Sequence, residues 1–314
     1  MFRFLIRVGA FALAGMACLA LVSAVLLPKD GGQDPAVADI RLANTGNSHG
    51  MYAIDYSLLP TETLPTYNFA MESQSLVYDD RLIDYFSHHF AEEGSVLFVL
   101  VDLTALWYEE TNDADFNAKN ERYLPIIGAR NMRFASTFET ILYRYFYALT
   151  CMDRWTGTMF RIEAEEGSEK NPQLTRYTRE EIGKMRSQHH LSHILYADGS
   201  LRPMNETNLA ALRHLLDTCR EENIRPILLT TPYYRSYTDC VPETVREAVT
   251  AVLTEIADSY GIAWWDYFTA EPYNSNETCF NDTDHLSEEG RALFMEELCR
   301  RLVAEGYFTA EELG

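Results

Sequence analysis

The stretch SVLFVLVDL at 95–103 is apolar without alternation and carries its first charge at Asp102. It is far shorter than the roughly 20 residues a membrane helix needs. An unbroken apolar run of this length is expected of a strand covered on both faces, as happens where a parallel sheet lies between two layers of helices. Strand-like segments at 37–43 (VADIRLA), 66–70 (TYNFA), 225–232 (RPILLTTP) and 262–268 (IAWWDYF) alternate with helical patterns at 51–59, 74–90, 205–222, 243–260 and 288–305. Such alternation predicts an α/β fold with a five-stranded parallel sheet, right-handed crossovers and a ligand crevice at the carboxyl ends of the strands. With 47% hydrophobic residues in 314, the chain has enough apolar material for one enzyme-sized core.

The alternation loosens over 104–201, where aromatic and acidic residues mix, a helix is expected at 135–149 and the polar stretch EAEEGSEKNPQ follows. This segment is expected to be an insertion or lid within an α/β domain spanning 37–314. Ahead of that domain, residues 8–27 carry no charge and are long enough to cross a bilayer. Arg3 and Arg7 precede the run, and Lys29 and Asp30 end it. Residues 1–28 are therefore expected to be a single-pass membrane anchor with its N-terminus inside, followed by a linker at 29–36 and an extracytoplasmic domain. A cleaved signal peptide, with Val22 and Ala24 as a loose cleavage site, is the rival expectation, although the apolar run is longer than a usual signal core.

A formal charge of −21 argues against nucleic acid as a partner, since like charges repel. Cys151, Cys219, Cys240, Cys279 and Cys299 show no CxxC spacing, which argues against a zinc ribbon or a thioredoxin-type site. Export would permit disulfides, and a Cys240–Cys279 bridge is conceivable.

The chemistry is expected where TGNSHG follows the first strand. Ser48 lies between Gly46 and Gly50, at the start of the next helix, where unpaired amides can stabilise an oxyanion. A serine hydroxyl needs a base and an orienting group, and NDTDHLSEEG near the C-terminus offers both. Asp282 precedes His285 by three residues, a spacing that brings both side chains to one side of a turn; Asp284 is the alternative partner. Ser287 can cap the helix that follows, with Glu288 and Glu289 in its first turn. His49 leaves the backbone in another direction from Ser48 and is expected to bind substrate or to pack. Tyr233 and Tyr234 could line a sugar or acyl site or simply pack in their loop. His189 and His193, four apart in SQHHLSH, are expected to be a solvated or lid-face cluster rather than metal ligands. Neither metal nor cofactor is expected.

An early serine in GNSH and a late DTDH resemble the first and last blocks of the SGNH/GDSL hydrolase superfamily, over about 37–306 apart from the insertion. The resemblance implies a flavodoxin-like three-layer sandwich and a Ser48–His285–Asp282 triad. With the anchor and the segments YNFAMESQS and ILLTTPYYRSY, the chain is similar to the exported acyltransferase-type branch, including the D-alanyl transfer protein of teichoic acids and alginate O-acetylation proteins. That implies serine esterase or O-acyltransferase chemistry on O-acyl, chiefly O-acetyl, groups of a cell-envelope glycan, with a membrane-bound O-acyltransferase as donor partner. The chain departs from the family where a second-block glycine and a third-block asparagine serve the oxyanion hole: Ser73 and Gln74 stand near the former, and no GxND follows VLFVLVDL. Asn68, Ser73 and Gln74 are the substitute donor candidates. A catalytically silent glycan-binding or assembly subunit on this fold is the alternative.

Overall fold

The structure, a computed structural model, describes residues 2–26, 37–60, 64–108, 122–123, 126–127, 141, 145 and 177–314. The chain divides into two compact units, one of residues 1–34 with 111–168 and one of residues 35–110 with 169–314. In the first, helix α1 (Phe2–Leu26) contains a window from Arg7 to Val25 long and apolar enough to cross a membrane. Of the helix expected at 135–149, residues 141 and 145 are described, both helical; the stretch 163–173 and Cys151 lie outside the described residues.

The second unit is an α/β fold on five parallel strands, β1 (Leu42–Thr45), β2 (Thr66–Asn68), β3 (Val96–Leu100), β4 (Arg225–Thr230) and β5 (Ala263–Asp266), ordered β2-β1-β3-β4-β5. Every residue of β3 is buried, which explains its unbroken apolar run. After β1 the chain steps outward to β2 and then returns to the far side of β1 for β3. This order puts the topological switch point, where a doubly wound sheet opens its crevice, between the carboxyl ends of β1 and β3.

The helices are α2 (Ser48–Ala53), α3 (Leu76–Phe86), α4 (Arg179–Ile194), α5 (Glu206–Glu221), the single turn α6 (Arg235–Thr238), α7 (Glu243–Tyr260), α8 (Glu288–Ala304) and the short α9 (Ala310–Leu313). Two boundaries differ from expectation for local reasons. The first strand starts at Leu42 rather than residue 37, because Asp39 has a left-handed φ of 57° and breaks the extended path. The helix expected at 51–59 starts at Ser48, capped by Asn47, and ends at Ala53; Asp55 caps a separate turn at Tyr56–Leu58. Cys240 and Cys279 are both free thiols.

Helix α4 has no counterpart among the expected elements, although Thr178 and Glu181 form a reciprocal capping box at its start. It lies tightly on α6. A Cβ on Gly183 would stand 2.5 Å from the Ser236 carbonyl oxygen, and Ser236 Oγ donates to the Arg179 carbonyl at 2.9 Å. Gly183→Ala is therefore expected to lower stability by about 1–3 kcal/mol, the usual cost of overpacking, measured by thermal or urea unfolding; an unchanged midpoint would contradict the close packing.

Candidate active site

At the end of β1 the chain turns through Gly46, whose φ is 127°, and enters α2 at Ser48. A Cβ at Gly46 would come within 2.7 Å of Leu100 Cβ, and one at Gly50 within 2.9 Å of the Thr45 carbonyl. Both glycines are what let this turn lie against the end of β3. Asn47 caps the helix by accepting the His49 N–H at 3.0 Å. The Ser48 N–H, at the first helical position, has no intrahelical partner to bond.

The turn is anchored from below by Asp79 on α3. Its Oδ1 accepts the Gly46 N–H at 2.7 Å and the Gln74 Nε2–H at 2.7 Å, so one buried oxygen ties the serine turn to the segment after β2. Burial pushes the Asp79 carboxyl up to about 7, against the opposing hydrogen bonds from Gln74 and Gly46.

The late histidine arrives on a turn built around Asp282. Asp282 Oδ1 accepts the backbone N–H groups of Thr283 at 2.7 Å, Asp284 at 3.1 Å and His285 at 2.8 Å. Its other oxygen accepts from His285 Nδ1 at 2.8 Å, and His285 Nε2 lies 2.8 Å from Ser48 Oγ. With Nδ1 protonated by this contact, Nε2 is the acceptor for the serine proton. Asp284 stands farther off, 4.0 Å from Nδ1. Ser287 then caps α8 through the Gly290 N–H at 3.1 Å.

Behind this relay lies a second layer. The Tyr233 hydroxyl donates to His49 Nδ1 at 2.9 Å, and His49 Nε2 faces Asp284 Oδ2 at 3.3 Å. Arg186 on α4 bonds both oxygens of Asp284, with Nη2 on Oδ2 at 2.7 Å, and its Nη1 lies 3.6 Å from Asp282 Oδ2. Arg179, one end of the same helix, donates to the carbonyls of Phe280, Asn281 and Asp282. Burial alone would raise Asp284, yet His285, His49 and Arg186 hold its carboxyl well below the usual range. Burial alone would lower His285, and the Asp284 and Asp282 carboxylates outweigh it, leaving the imidazole above its ordinary value.

A cavity of about 140 Å³ opens beside Ser48. Its lining includes Asn47, Ser73 and Gln74, Asp102 just after β3, and Arg186, His189, His190 and His193 of α4. Of the sequence candidates, Ser73 reaches this cavity, is exposed and has a left-handed φ of 52°. Gln74 reaches it too, but its Nε2 is committed to the Phe69 carbonyl at 3.0 Å and to Asp79. Asn68 instead ties the end of β2, accepting from Asn44 Nδ2 and the Ala70 N–H, both at 2.9 Å. Tyr233 is fully buried behind His49 and does not line the cavity.

Asp102, Asp79, Arg186 and Arg179 were not singled out from sequence. Asp102 had a signal, being the charge that ends the apolar strand; it accepts from Thr104 N–H and Oγ1–H and from Asn47 Nδ2. His49, Asp284 and His285 bring potential metal-ligand atoms within 4.8 Å of one another. Each is already hydrogen-bonded, and the Arg186 guanidinium on Asp284 opposes a second cation there. The geometry suits proton transfer from a serine hydroxyl better than metal ligation.

The raised Asp79 carboxyl has a linkage consequence. The native state holds this proton from near pH 4 up to about 7 while the unfolded chain has released it, so this group's contribution falls as pH rises through that window. Asp79→Asn keeps an acceptor for Gly46 and removes the titration. Its melting temperature is expected to decline less than the parent's between about pH 4 and 7, the window of that titration; parallel declines would contradict a buried titrating Asp79.

No family model matches the chain, and no curated protein matches it. Among solved structures it is similar to a "putative acylhydrolase" from Bacteroides fragilis, at 13% identity over 92% of this chain and 95% of that chain, with a TM-score of 0.41. That likeness is too loose to carry residue roles across.

Proposed function

We propose that this protein is a membrane-anchored, extracytoplasmic serine esterase or O-acyltransferase acting on O-acyl groups, chiefly O-acetyl, of a cell-envelope glycan. The observation that carries the chemistry is the continuous relay from Ser48 Oγ to His285 Nε2 at 2.8 Å and from His285 Nδ1 to Asp282 at 2.8 Å. Ser48 Oγ attacks the acyl carbonyl while its proton passes to His285 Nε2. The tetrahedral intermediate then collapses, breaking the acyl–oxygen bond, and the same proton goes to the leaving oxygen. A sugar hydroxyl or water, deprotonated by His285, attacks the acyl-enzyme and frees Ser48. The unpaired Ser48 N–H supplies one oxyanion donor, and Ser73 on the cavity side is the candidate for the second.

The cavity supports a short acyl group. At about 140 Å³ it is smaller than the roughly 300–1,000 Å³ of drug-sized pockets, and most of its lining residues are polar, with Ala105 and Tyr108 adding apolar surface. Such a site favours acetyl-sized groups on hydroxyl-rich acceptors over long acyl chains. The apolar span of α1 supports anchoring, and a membrane-bound O-acyltransferase is the proposed donor partner if the reaction is transfer. A silent glycan-binding subunit is the competing reading, favoured by the Asp102 carboxylate standing at the cavity just after β3, where the resembled family supplies an amide donor.

Hydrolysis of an acetyl ester by the full chain in detergent, with and without oligosaccharide acceptors, separates these readings. Ser48→Ala and His285→Ala are each expected to lower kcat/KM about a thousandfold or more; equal rates in all three proteins would leave the silent-subunit reading. Because His285 must be neutral to accept the proton and its pKa lies above the ordinary 6.5, kcat/KM is expected to rise with pH through a limb centred above that value. A limb well below 6.5 would contradict His285 as the base.

A further inference from the structure

We propose that Arg186, delivered by α4 from outside the strand–helix alternation, is a positioning residue that keeps His285 available as a base by balancing the two carboxylates beside it. This rests on the esterase or acyltransferase reading above. The ring of His285 is faced by Asp282 and Asp284 from its own turn, by Arg186 from α4, and by Ser48, His49 and Tyr52 from α2. His49 and Tyr52 lie at ring distances of 5.0 and 5.5 Å, and the Tyr52 hydroxyl is spent on Glu72 at 2.8 Å. Asp284 is wholly buried and Asp282 nearly so. Among the described residues, Arg186 is the one guanidinium or ammonium within 4.0 Å of either carboxylate.

Two buried carboxylates beside an imidazole favour its protonated form, which cannot take a proton from serine. One carboxylate is enough to orient the ring, and Asp282 does that. Asp284 serves another purpose: it holds His49 and receives the guanidinium. Arg186 Nη2 lies 3.3 Å from His285 Nδ1, close enough to act directly on the charge of the ring. The same helix grips the backbone of the turn through Arg179, so its seating sets both the position and the protonation of the base.

Arg186→Gln and Arg186→Lys in the full chain in detergent test this by two readouts: the pH dependence of kcat/KM on an acetyl ester, and NMR titration of the His285 imidazole, assigned by its loss in His285→Asn. For Arg186→Gln, both the acid limb and the imidazole titration are expected to move up by about one unit or more. Turnover should then fall roughly tenfold near neutrality and recover at higher pH. Arg186→Lys, which keeps the charge, is expected to reverse most of the shift. An unmoved titration with activity lowered equally at every pH would overturn the proposal, as would a lysine variant shifted as far as the glutamine one. Absence of Ser48-dependent turnover in the parent would sink the enzymatic reading alone, and the titration would still decide the role of Arg186.

Discussion

The site depends on one carboxylate doing two jobs. Asp282 folds its own turn by accepting three successive backbone N–H groups on one oxygen, and with the other it fixes the His285 ring. Because the turn and the ring share an anchor, the carboxylate that orients the imidazole is itself held in place by the backbone it folds. Everything upstream serves to bring Ser48 to that ring. The sheet order places the end of β1 at the switch point, two glycines let the turn crowd β3, and Asp79 pins the turn from below.

The strand–helix alternation and the parallel sheet were legible because buried strands and amphipathic helices leave different periods in sequence. Ser48, His285 and Asp282 could be picked out as candidates because each sits on a short-range feature: a glycine-flanked turn after a strand, and a three-residue spacing before a capped helix. The second layer was not legible. Arg186 meets Asp284 across 98 positions and Tyr233 meets His49 across 184, and nothing local announces such pairs. Helix α4 left a capping box at Thr178–Glu181, but its sequence lacks the amphipathic stripe that would have marked it as packed. Asn68 and Tyr233 were plausible from their neighbourhood in the chain, yet the structure commits Asn68 to joining β1 and β2, and Tyr233 to supporting His49.

The charges at the site form a graded arrangement. Asp284 is the most buried and needs the most compensation, which Arg186, His49 and His285 share. Removing one partner of such a cluster leaves a buried charge unpaired, typically at a cost of several kcal/mol. The cluster is therefore a weak source of net stability and a strong determinant of one geometry. Beside it lies the cavity of about 140 Å³, which Ser48, Ser73 and the α4 histidines help to line.

The most direct measurement of the central claim is intact-protein and peptide mass spectrometry after exposure to a fluorophosphonate. One covalent adduct on the peptide containing Ser48 is expected, and it should be lost when His285 is replaced by alanine. No adduct on Ser48, or labelling that persists unchanged without His285, would contradict a serine activated by this relay.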